Sequence, residues 1–88
     1  MEHMSSAFQT AVRSAVRREK RLDALDRLAE EGDARNLRLF VQLDGMSSGL
    51  RRHALTRLAG CNASGELERI ANDYTLDSSL RADAERHR

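Results

Sequence analysis

The chain lacks proline and tryptophan, and it contains only one tyrosine and two phenylalanines. Without proline, helices can run uninterrupted, because no residue removes a helical backbone donor. Aromatic residues make up 3% of the sequence, which argues against a surface on which nucleobases stack. Apolar residues never alternate with a period of two, so the sequence predicts an all-α protein without strands.

Cysteine and long apolar runs are also scarce. Cys61 is the one cysteine, which rules out an internal disulfide and a cysteine-based metal cluster. No apolar run reaches the length of a membrane span or of the core of a signal peptide. We therefore expect a cytoplasmic protein that does not enter a membrane.

Neither sign of charge prevails, because 15 basic residues face 14 acidic ones and leave a net charge of +1. A protein that holds nucleic acid by charge alone normally has a larger basic excess. The length of 88 residues, with 33% charged and 40% hydrophobic, suits one small helical domain with one core. We interpret residues 1–4 as an expression leader and residues 5–88 as that domain.

A thirty-residue unit occurs twice in the chain. Residues 21–50 align without a gap on residues 51–80, and nine of the thirty positions are identical, where the composition gives roughly three by chance. A third copy begins at Arg81. A period of this length is typical of stacked helical repeats. The identical pairs are Arg21/Arg51, Ala24/Ala54, Leu25/Leu55, Arg27/Arg57, Leu28/Leu58, Ala29/Ala59, Leu37/Leu67, Ser48/Ser78 and Leu50/Leu80.

Capping signals and apolar spacing predict five or six helices. They cover residues 5–31 (as one helix or two), 35–43, 50–59, 63–73, and the chain from Leu80 onward. The N-terminal helix carries its apolar side chains at Phe8, Ala11, Val12, Ala15 and Val16. Predicted N-caps are Ser6, Asp33, Ser47 or Ser48, and Asp77, and predicted stops are Gly32, Gly45 and Gly60.

The string Leu-Arg-x-x-Ala-Leu-x-x-Leu-Ala runs from Leu50 to Ala59. It resembles the HEAT repeat in its short form of about thirty residues, named after the phycobilisome lyases. Residues 80–84 match its start and residues 24–29 match its end. The resemblance implies a short α-solenoid of antiparallel helix pairs, with about two and a half repeats plus an N-terminal helix. The chain departs from the family pattern at Lys20, where an aliphatic residue is usual, and in its small number of units. Lyases of the family have more units, so lyase activity is not expected.

In HEAT proteins the second helix of each repeat lines a concave face, and the resemblance makes this face the expected docking surface. The candidate residues are Asp23, Asp26, Glu30, Arg52, His53, Thr56, Asp83 and Arg86. Their charge alternates along the stack, which suits a partner protein better than a continuous phosphate backbone. A solvated face without a partner is the alternative. The leading hypothesis is a non-enzymatic protein–protein interaction module, acting as adaptor, regulator or subunit.

Nucleic-acid binding is the second hypothesis, through Arg13, Arg17, Arg18 and Lys20 on the basic side of the N-terminal helix. Arg21, Arg51 and Arg52 could add to it. A helix-turn-helix over residues 55–71 would serve the same function, but its turn is long for that motif. Arg21, Arg51 and Arg81 fit either a phosphate-binding ladder or an inter-repeat seam, where each head pairs with a turn acid or carbonyl. The family pattern favours the seam.

Features of catalysis and metal binding are weak. His3, His53 and His87 have no spacing for a shared metal, and Cys61 has no neighbouring histidine to activate it. A glycine-rich phosphate loop is missing. We expect no enzyme activity, cofactor or metal. An enzyme fragment, the third hypothesis, would need a cavity that so short a chain cannot readily build.

The two units differ in ways that predict their neighbours. Leu39 and Leu43 of the first unit correspond to Arg69 and Asp73 of the second, so helix 35–43 is expected to be covered on two sides, by the N-terminal helix and by helix 63–73. At the other end, Leu76 and Leu80 are expected to form an apolar patch. That patch would dock on a second copy, giving a homodimer, or on a partner protein.

Overall fold

Residues 6–88 are described by the structure, a computed structural model. They form six α-helices and no strand, which confirms the all-α prediction for this part of the chain. The helices are α1 (Ser6–Val12), α2 (Arg18–Glu30), α3 (Ala34–Gln42), α4 (Ser48–Ala59), α5 (Ser64–Ala71) and α6 (Ser78–His87). The segment that the sequence left open as one helix or two therefore contains two.

The first helix ends earlier than its apolar pattern predicted. After Val12 the chain turns, and the Val16 amide donates to the carbonyl of Arg13 at 3.1 Å. Ala15, which was assigned to the apolar face, is exposed as a result. Ser6 is the first helical residue, so the residue at the N-cap position lies outside the described part of the chain.

The helix starts repeat at an interval of thirty residues. α2, α4 and α6 begin at residues 18, 48 and 78, and α3 and α5 begin at residues 34 and 64. Gly32 and Asn62, also thirty residues apart, both have a left-handed backbone, with φ of 70° and 56°. Glycine and asparagine are the residues that best tolerate this conformation after a helix. Helix α4 thus ends at Ala59, as predicted, but its left-handed residue is Asn62 and not Gly60.

Two predicted N-caps are confirmed by hydrogen bonds. The Asp33 carboxylate accepts from the Asn36 amide at 3.3 Å, and the Ser47 hydroxyl oxygen accepts from the Leu50 amide at 3.3 Å. Each bond satisfies one of the free donors in the first turn of a helix. The loops before α3 and α4 therefore set where these helices begin.

The helices pack as sequential pairs, α1 with α2, α3 with α4, and α5 with α6. Across the pairs, α2 contacts α4 and α4 contacts α6, while α1 contacts α3 and α3 contacts α5. The six helices thus form two rows of three. Between the rows lies one core, in which these side chains are at most 2% exposed: Leu25, Leu28, Leu37, Phe40, Val41, Leu50, Leu55, Leu58, Leu67, Ile70 and Leu80. Burial of each leucine contributes on the order of 1.5–3 kcal/mol.

Helix α3 is the middle helix of its row. It contacts α1 on one side and α5 on the other, as the apolar residues of this helix predicted. Leu39 and Leu43 are partly buried against the core, whereas Arg69, the equivalent of Leu39, is exposed. The burial of each position follows from the number of helices around it.

Candidate interaction surface

The eight residues that sequence reasoning assigned to a concave face all lie on α2, α4 and α6, the row that we call the second-helix row. Five of them are exposed (Asp23, Glu30, Arg52, Thr56 and Arg86) and three are partly buried (Asp26, His53 and Asp83). Six of the eight make a polar contact to another side chain or to a backbone carbonyl of this same row. Most side chains of this surface are therefore held in place by contacts within the row itself.

Asp26 of α2 contacts two side chains of α4. Its Oδ1 lies 2.7 Å from His53 Nε2 and 3.3 Å from Arg57 Nε. The Arg57 Nε is buried and makes no hydrogen bond of good geometry, so its contact with Asp26 is electrostatic. The three side chains are 32–40% exposed, and water screens such pairs. Sequence reasoning missed this contact of Arg57. Arg57 is identical to Arg27 in the aligned units, so it was attributed to the repeat pattern.

A second group joins α4 to α6. The Arg52 guanidinium pairs with the Asp83 carboxylate and also donates to the Ser79 hydroxyl oxygen at 2.9 Å. Asp83, whose side chain is 17% exposed, accepts from Arg86 as well. Sequence reasoning missed Ser79. Together with the Asp26 group, these contacts link all three helices of the row.

Two acids of this row keep their hydrogen-bonding capacity. Among the described residues, Asp23 and Glu30 have no ion-pair partner, and both are exposed. The Thr56 hydroxyl donates to the carbonyl of Arg52 at 3.0 Å, which leaves its oxygen able to accept. The unpaired acids lie on α2, and the exposed guanidinium groups of the row's paired residues lie on α4 and α6.

A cleft of about 240 Å³ lies between α1 and α2. Its lining includes two buried residues, Ala7 and Ala24, which are 5% and 7% exposed. The other lining residues are Ser6, Thr10, Lys20, Asp23 and Arg27. Asp23 thus faces the α1 side of α2, whereas Asp26 faces α4. The two aspartates, which the sequence grouped on one face, point toward different neighbours.

The arginine that begins each unit binds a backbone carbonyl. Arg21 Nε donates to Ala11 O at 2.8 Å, Arg51 Nη2 donates to Leu43 O, and Arg81 Nε donates to Leu76 O at 3.3 Å. All three arginines are partly buried. This is the seam arrangement, in which the stem packs and the head pairs with a carbonyl, and these arginines do not form a phosphate-binding ladder.

Arg38 is the one charged side chain that is buried among residues 6–88, at 9% exposure. It pairs with Glu66 of α5 and donates to Gln42 Oε1 at 2.8 Å. Gln42 Nε2 in turn donates to Asp73 Oδ2 at 3.0 Å. Sequence reasoning missed this network between α3 and α5. An arginine inside the apolar run 37–41 was the signal that could have found it.

The four basic residues proposed for nucleic acid are all exposed. Arg13 lies in the turn after α1, Arg17 is at the N-cap position of α2, and Arg18 and Lys20 are in its first turn. Arg17 pairs with Glu19 at 3.3 Å, with side chains 75% and 80% exposed. The chain turns between α1 and α2, so these residues lie at one corner of the molecule and not on one side of a single helix.

The prediction of an exposed apolar patch at Leu76 and Leu80 is wrong. Leu76 is 5% exposed and Leu80 is 2% exposed, because α5 and α6 pack together and bury both leucines with Ala84. The sequence suggested an unfinished end, since helix 63–73 was counted with the previous unit. In the structure that helix pairs with α6 and covers the leucines. These two leucines therefore offer no exposed apolar surface through which a homodimer could form.

The loop before α6 holds two aspartates with lowered pKa values. The Thr75 hydroxyl lowers the pKa of Asp73, helped by the Thr75 amide, Gln42 and Arg81 and opposed by burial. The Ser79 hydroxyl lowers the pKa of Asp77. Asp77 occupies the N-cap position of α6, and the backbone amides of Ser78 and Ser79 also lower its pKa, but neither amide makes a cap hydrogen bond of good geometry to its side chain. The predicted cap is therefore replaced by a bond to the Ser79 hydroxyl.

Titratable groups elsewhere do not converge on a site. In residues 6–88 no three His, Cys, Asp or Glu side chains come together as metal ligands would. Cys61 is partly buried, and its Sγ lies 3.4 Å from the carbonyl oxygen of Arg57. His53 is paired as described and His87 is exposed. His3 lies outside the described residues.

None of the helices formed by residues 6–88 has the length and apolar character needed to cross a membrane. Comparison of the chain with protein-family models, with curated proteins and with solved structures gave no match. The surfaces described above are therefore the basis on which a function is assigned.

Proposed function

We propose that this chain is a short HEAT-like α-solenoid whose second-helix row binds another protein, as an adaptor, a regulator or a subunit, without catalysing a reaction. The observation that carries the proposal is that three helices starting thirty residues apart lie side by side and bury equivalent positions. Their exposed side chains differ from helix to helix. Equivalent buried positions serve packing, whereas divergent exposed ones are available for recognition.

Equivalent packing supports the repeat part of this proposal. Ala24, Ala54 and Ala84, thirty residues apart, are 7%, 0% and 0% exposed. A small side chain at each of these positions lets neighbouring helices approach closely. The three seam arginines repeat the same kind of carbonyl contact in each pair of helices. Stacked helical repeats are built from such recurrent contacts between neighbours.

The ion pairs across the row support its use as a binding surface. Asp26 with His53, and Arg52 with Asp83, connect α2 to α4 and α4 to α6. Partly exposed pairs add little stability, but they hold the side chains of neighbouring helices in one arrangement. A preordered surface loses less conformational entropy when a partner binds. The cytoplasm is the proposed location, because a lone cysteine fits a reducing compartment.

The distribution of charge indicates the partner's chemistry. At the α2 end of the row the exposed acids Asp23 and Glu30 are unpaired, whereas Arg52 and Arg86 lie on α4 and α6. A partner with basic groups against α2 and acidic groups against α4 and α6 would be complementary. At Asp23 and Glu30 themselves, contact with a polyanion would instead be repulsive.

The test is affinity capture with the complete chain as bait after nuclease treatment, followed by the same capture with variants. Asp23→Lys/Glu30→Lys reverses the two unpaired acids of the row. Asp44→Lys/Glu68→Lys is the matched control, because it changes the net charge equally at an exposed loop residue and on α5. We expect the first variant to lose a captured protein that the native chain and the control retain. Equal retention or equal loss would contradict the proposal.

A further inference from the structure

The turn between α1 and α2 concentrates basic charge. Residues 13–20 contain four basic side chains and one acid, Glu19, while the other residues of the chain have 11 basic and 13 acidic side chains. The basic excess of the whole protein therefore resides at this turn. Arg13, Arg17, Arg18 and Lys20 are all exposed. The single acid forms only an exposed pair with Arg17, at 3.3 Å.

These cations lie where a helix disfavours them. Arg17 is at the N-cap position of α2 and makes no side-chain cap bond, and Arg18 and Lys20 follow in the first turn. The N-terminus of a helix carries partial positive charge and free amides, so basic side chains there are unfavourable and anions are favourable. The other described caps with side-chain bonds, at Asp33 and Ser47, use an acid and a hydroxyl. A position that departs from the local rule in this way is a functional candidate.

Arg18 extends the basic corner to a second helix. Its Nη2 is 2.9 Å from the point that a Cβ at residue 49 would occupy. Gly49 lies in the first turn of α4, so the absence of a side chain leaves room for the guanidinium. The cation therefore rests against the first turn of another helix, where it is again unfavourable unless an anion is near.

We propose that Arg13, Arg17, Arg18 and Lys20 form a second binding surface, separate from the eight candidate residues of the second-helix row, that contacts the phosphodiester backbone of double-stranded nucleic acid. Guanidinium and ammonium groups bind phosphate oxygens through charge-assisted hydrogen bonds. The free amides in the first turn of α2 would add donors for the same phosphates.

The neighbours of the four cations favour nucleic acid over other anionic partners. Ser14 and Ala15, the exposed residues between Arg13 and Arg17, are small. Protein interfaces rely on buried aromatic or large apolar anchors, and membrane-surface helices need an apolar face. Contacts to a phosphate backbone need neither. The surface also has no aromatic side chain on which an unpaired base could stack, which favours a duplex over a single strand.

The test measures fluorescence anisotropy of a labelled random-sequence duplex of 25 base pairs with the complete chain. With four phosphate contacts we expect the logarithm of the association constant to fall with the logarithm of salt concentration with a slope of about −3 to −4. Affinity should therefore drop roughly 100-fold between 50 and 200 mM salt. Absence of binding at 50 mM salt would overturn the proposal.

Arg18→Glu/Lys20→Glu should weaken binding roughly tenfold or more at 50 mM salt and reduce the slope by about two. Arg35→Glu/Arg69→Glu is the matched control, with the same change of net charge on α3 and α5, and should weaken binding less than about threefold. Equal losses in both variants would overturn the proposal. So would binding of polyglutamate or phosphatidylserine vesicles as tight as that of the duplex.

A second readout separates binding from packing. Acids in the first turn of α2 suit the helix dipole, so Arg18→Glu/Lys20→Glu should raise Tm by about 2–5 °C while it weakens binding. A lower Tm would assign Arg18 a packing role. Arg13→Gln/Arg17→Gln would then decide, because both of these residues are exposed. Loss of duplex binding in that variant at unchanged Tm supports the surface, and unchanged binding overturns it.

Discussion

The units 21–50 and 51–80 bury the same positions and expose different side chains. Leu28 and Leu58 are both 0% exposed, and Leu50 and Leu80 are both 2% exposed. Outside the core the units diverge, since Asp26 corresponds to Thr56 and His53 to Asp23. The positions that repeat at the thirty-residue interval are therefore the ones that pack the core. Residues that recognise a partner have to be sought among the positions that differ.

The clearest divergence lies between α3 and α5. Arg38 is 9% exposed, whereas its equivalent Glu68 is exposed, and the same contrast separates Leu39 from Arg69. Helix α3 has a neighbour on each side of its row, while α5 contacts only α3 within that row. An outer helix keeps one side in water, and polar side chains are favoured there.

The largest effect should come from the positions that the two units share. Leu28→Ala and Leu58→Ala each remove a fully buried side chain, and each should lower the free energy of unfolding by about 2–5 kcal/mol. Thr56→Ala, at an exposed site on α4, should change it by less than about 0.5 kcal/mol. Urea unfolding followed by circular dichroism measures all three. If only one of the leucines proved important, the equivalence of the units would be refuted.

The next effect concerns the position at which α3 and α5 differ. Glu66→Ala leaves the Arg38 guanidinium buried without its carboxylate, and should lower the free energy of unfolding by about 1–3 kcal/mol. A fully buried pair would lose more, but Glu66 is itself partly exposed. Glu68→Ala removes only an exposed pair with Arg88 and should have an effect below about 0.5 kcal/mol. Thermal unfolding of both variants tests the contrast. Equal Tm values would mean that Arg38 is solvated in the native protein.

Replacing two glycines by alanine should have smaller effects on stability, and the two effects should be of opposite sign. At φ of 70°, Gly32→Ala strains the backbone, and should lower stability by about 1 kcal/mol although no atom obstructs the new methyl group. Gly65→Ala lies within α5 in open space, and should raise stability by about 0.5 kcal/mol through helix propensity. Chemical denaturation of both variants gives the signs. Stabilisation by Gly32→Ala would contradict the left-handed turn that Gly32 shares with Asn62.

The smallest effect depends on pH and on Asp73, which replaces Leu43 of the first unit. The Thr75 hydroxyl donates to Asp73 Oδ1 at 2.6 Å and lowers the pKa of this carboxyl from its usual 3.8. A lowered folded-state pKa contributes stability above the unfolded value, and that contribution is lost as the pH falls through the folded value. Thr75→Ala should therefore lower the free energy of unfolding at pH 7 by less than about 1 kcal/mol. Its Tm at this pH should be slightly below that of the native chain.

The matched measurement is a Tm series of the native chain and of Thr75→Ala between pH 7 and pH 2. The two curves should converge as Asp73 becomes protonated, because the native chain then loses the hydrogen bond from the Thr75 hydroxyl to the carboxylate, which Thr75→Ala lacks at every pH. Thr56→Ala, whose hydroxyl binds a backbone carbonyl, should show no such convergence. A Thr75→Ala deficit that persists at pH 2 would assign the effect to packing.

Much of the fold could be predicted from local chemistry. Asp33 and Ser47 marked helix starts because their oxygens satisfy first-turn amides, and the leucine spacing marked the buried face. The candidate surface residues all lie on α2, α4 and α6, and their role as a docking surface stays a prediction. The partners of those residues could not be predicted, since Asp26 meets His53 and Arg52 meets Asp83 only after the helices pack.

The sequence by itself determined that this chain is helical, where α3 and α4 start and which side of these two helices is buried, because these properties depend on residues within one or two turns of each other. Only the tertiary structure decided that α1 and α2 are separate, that α5 covers Leu76 and Leu80, and that Arg38 is buried. Those outcomes depend on which helix occupies the space beside each side chain. That choice depends on the packing of all six helices at once, and no local pattern records it.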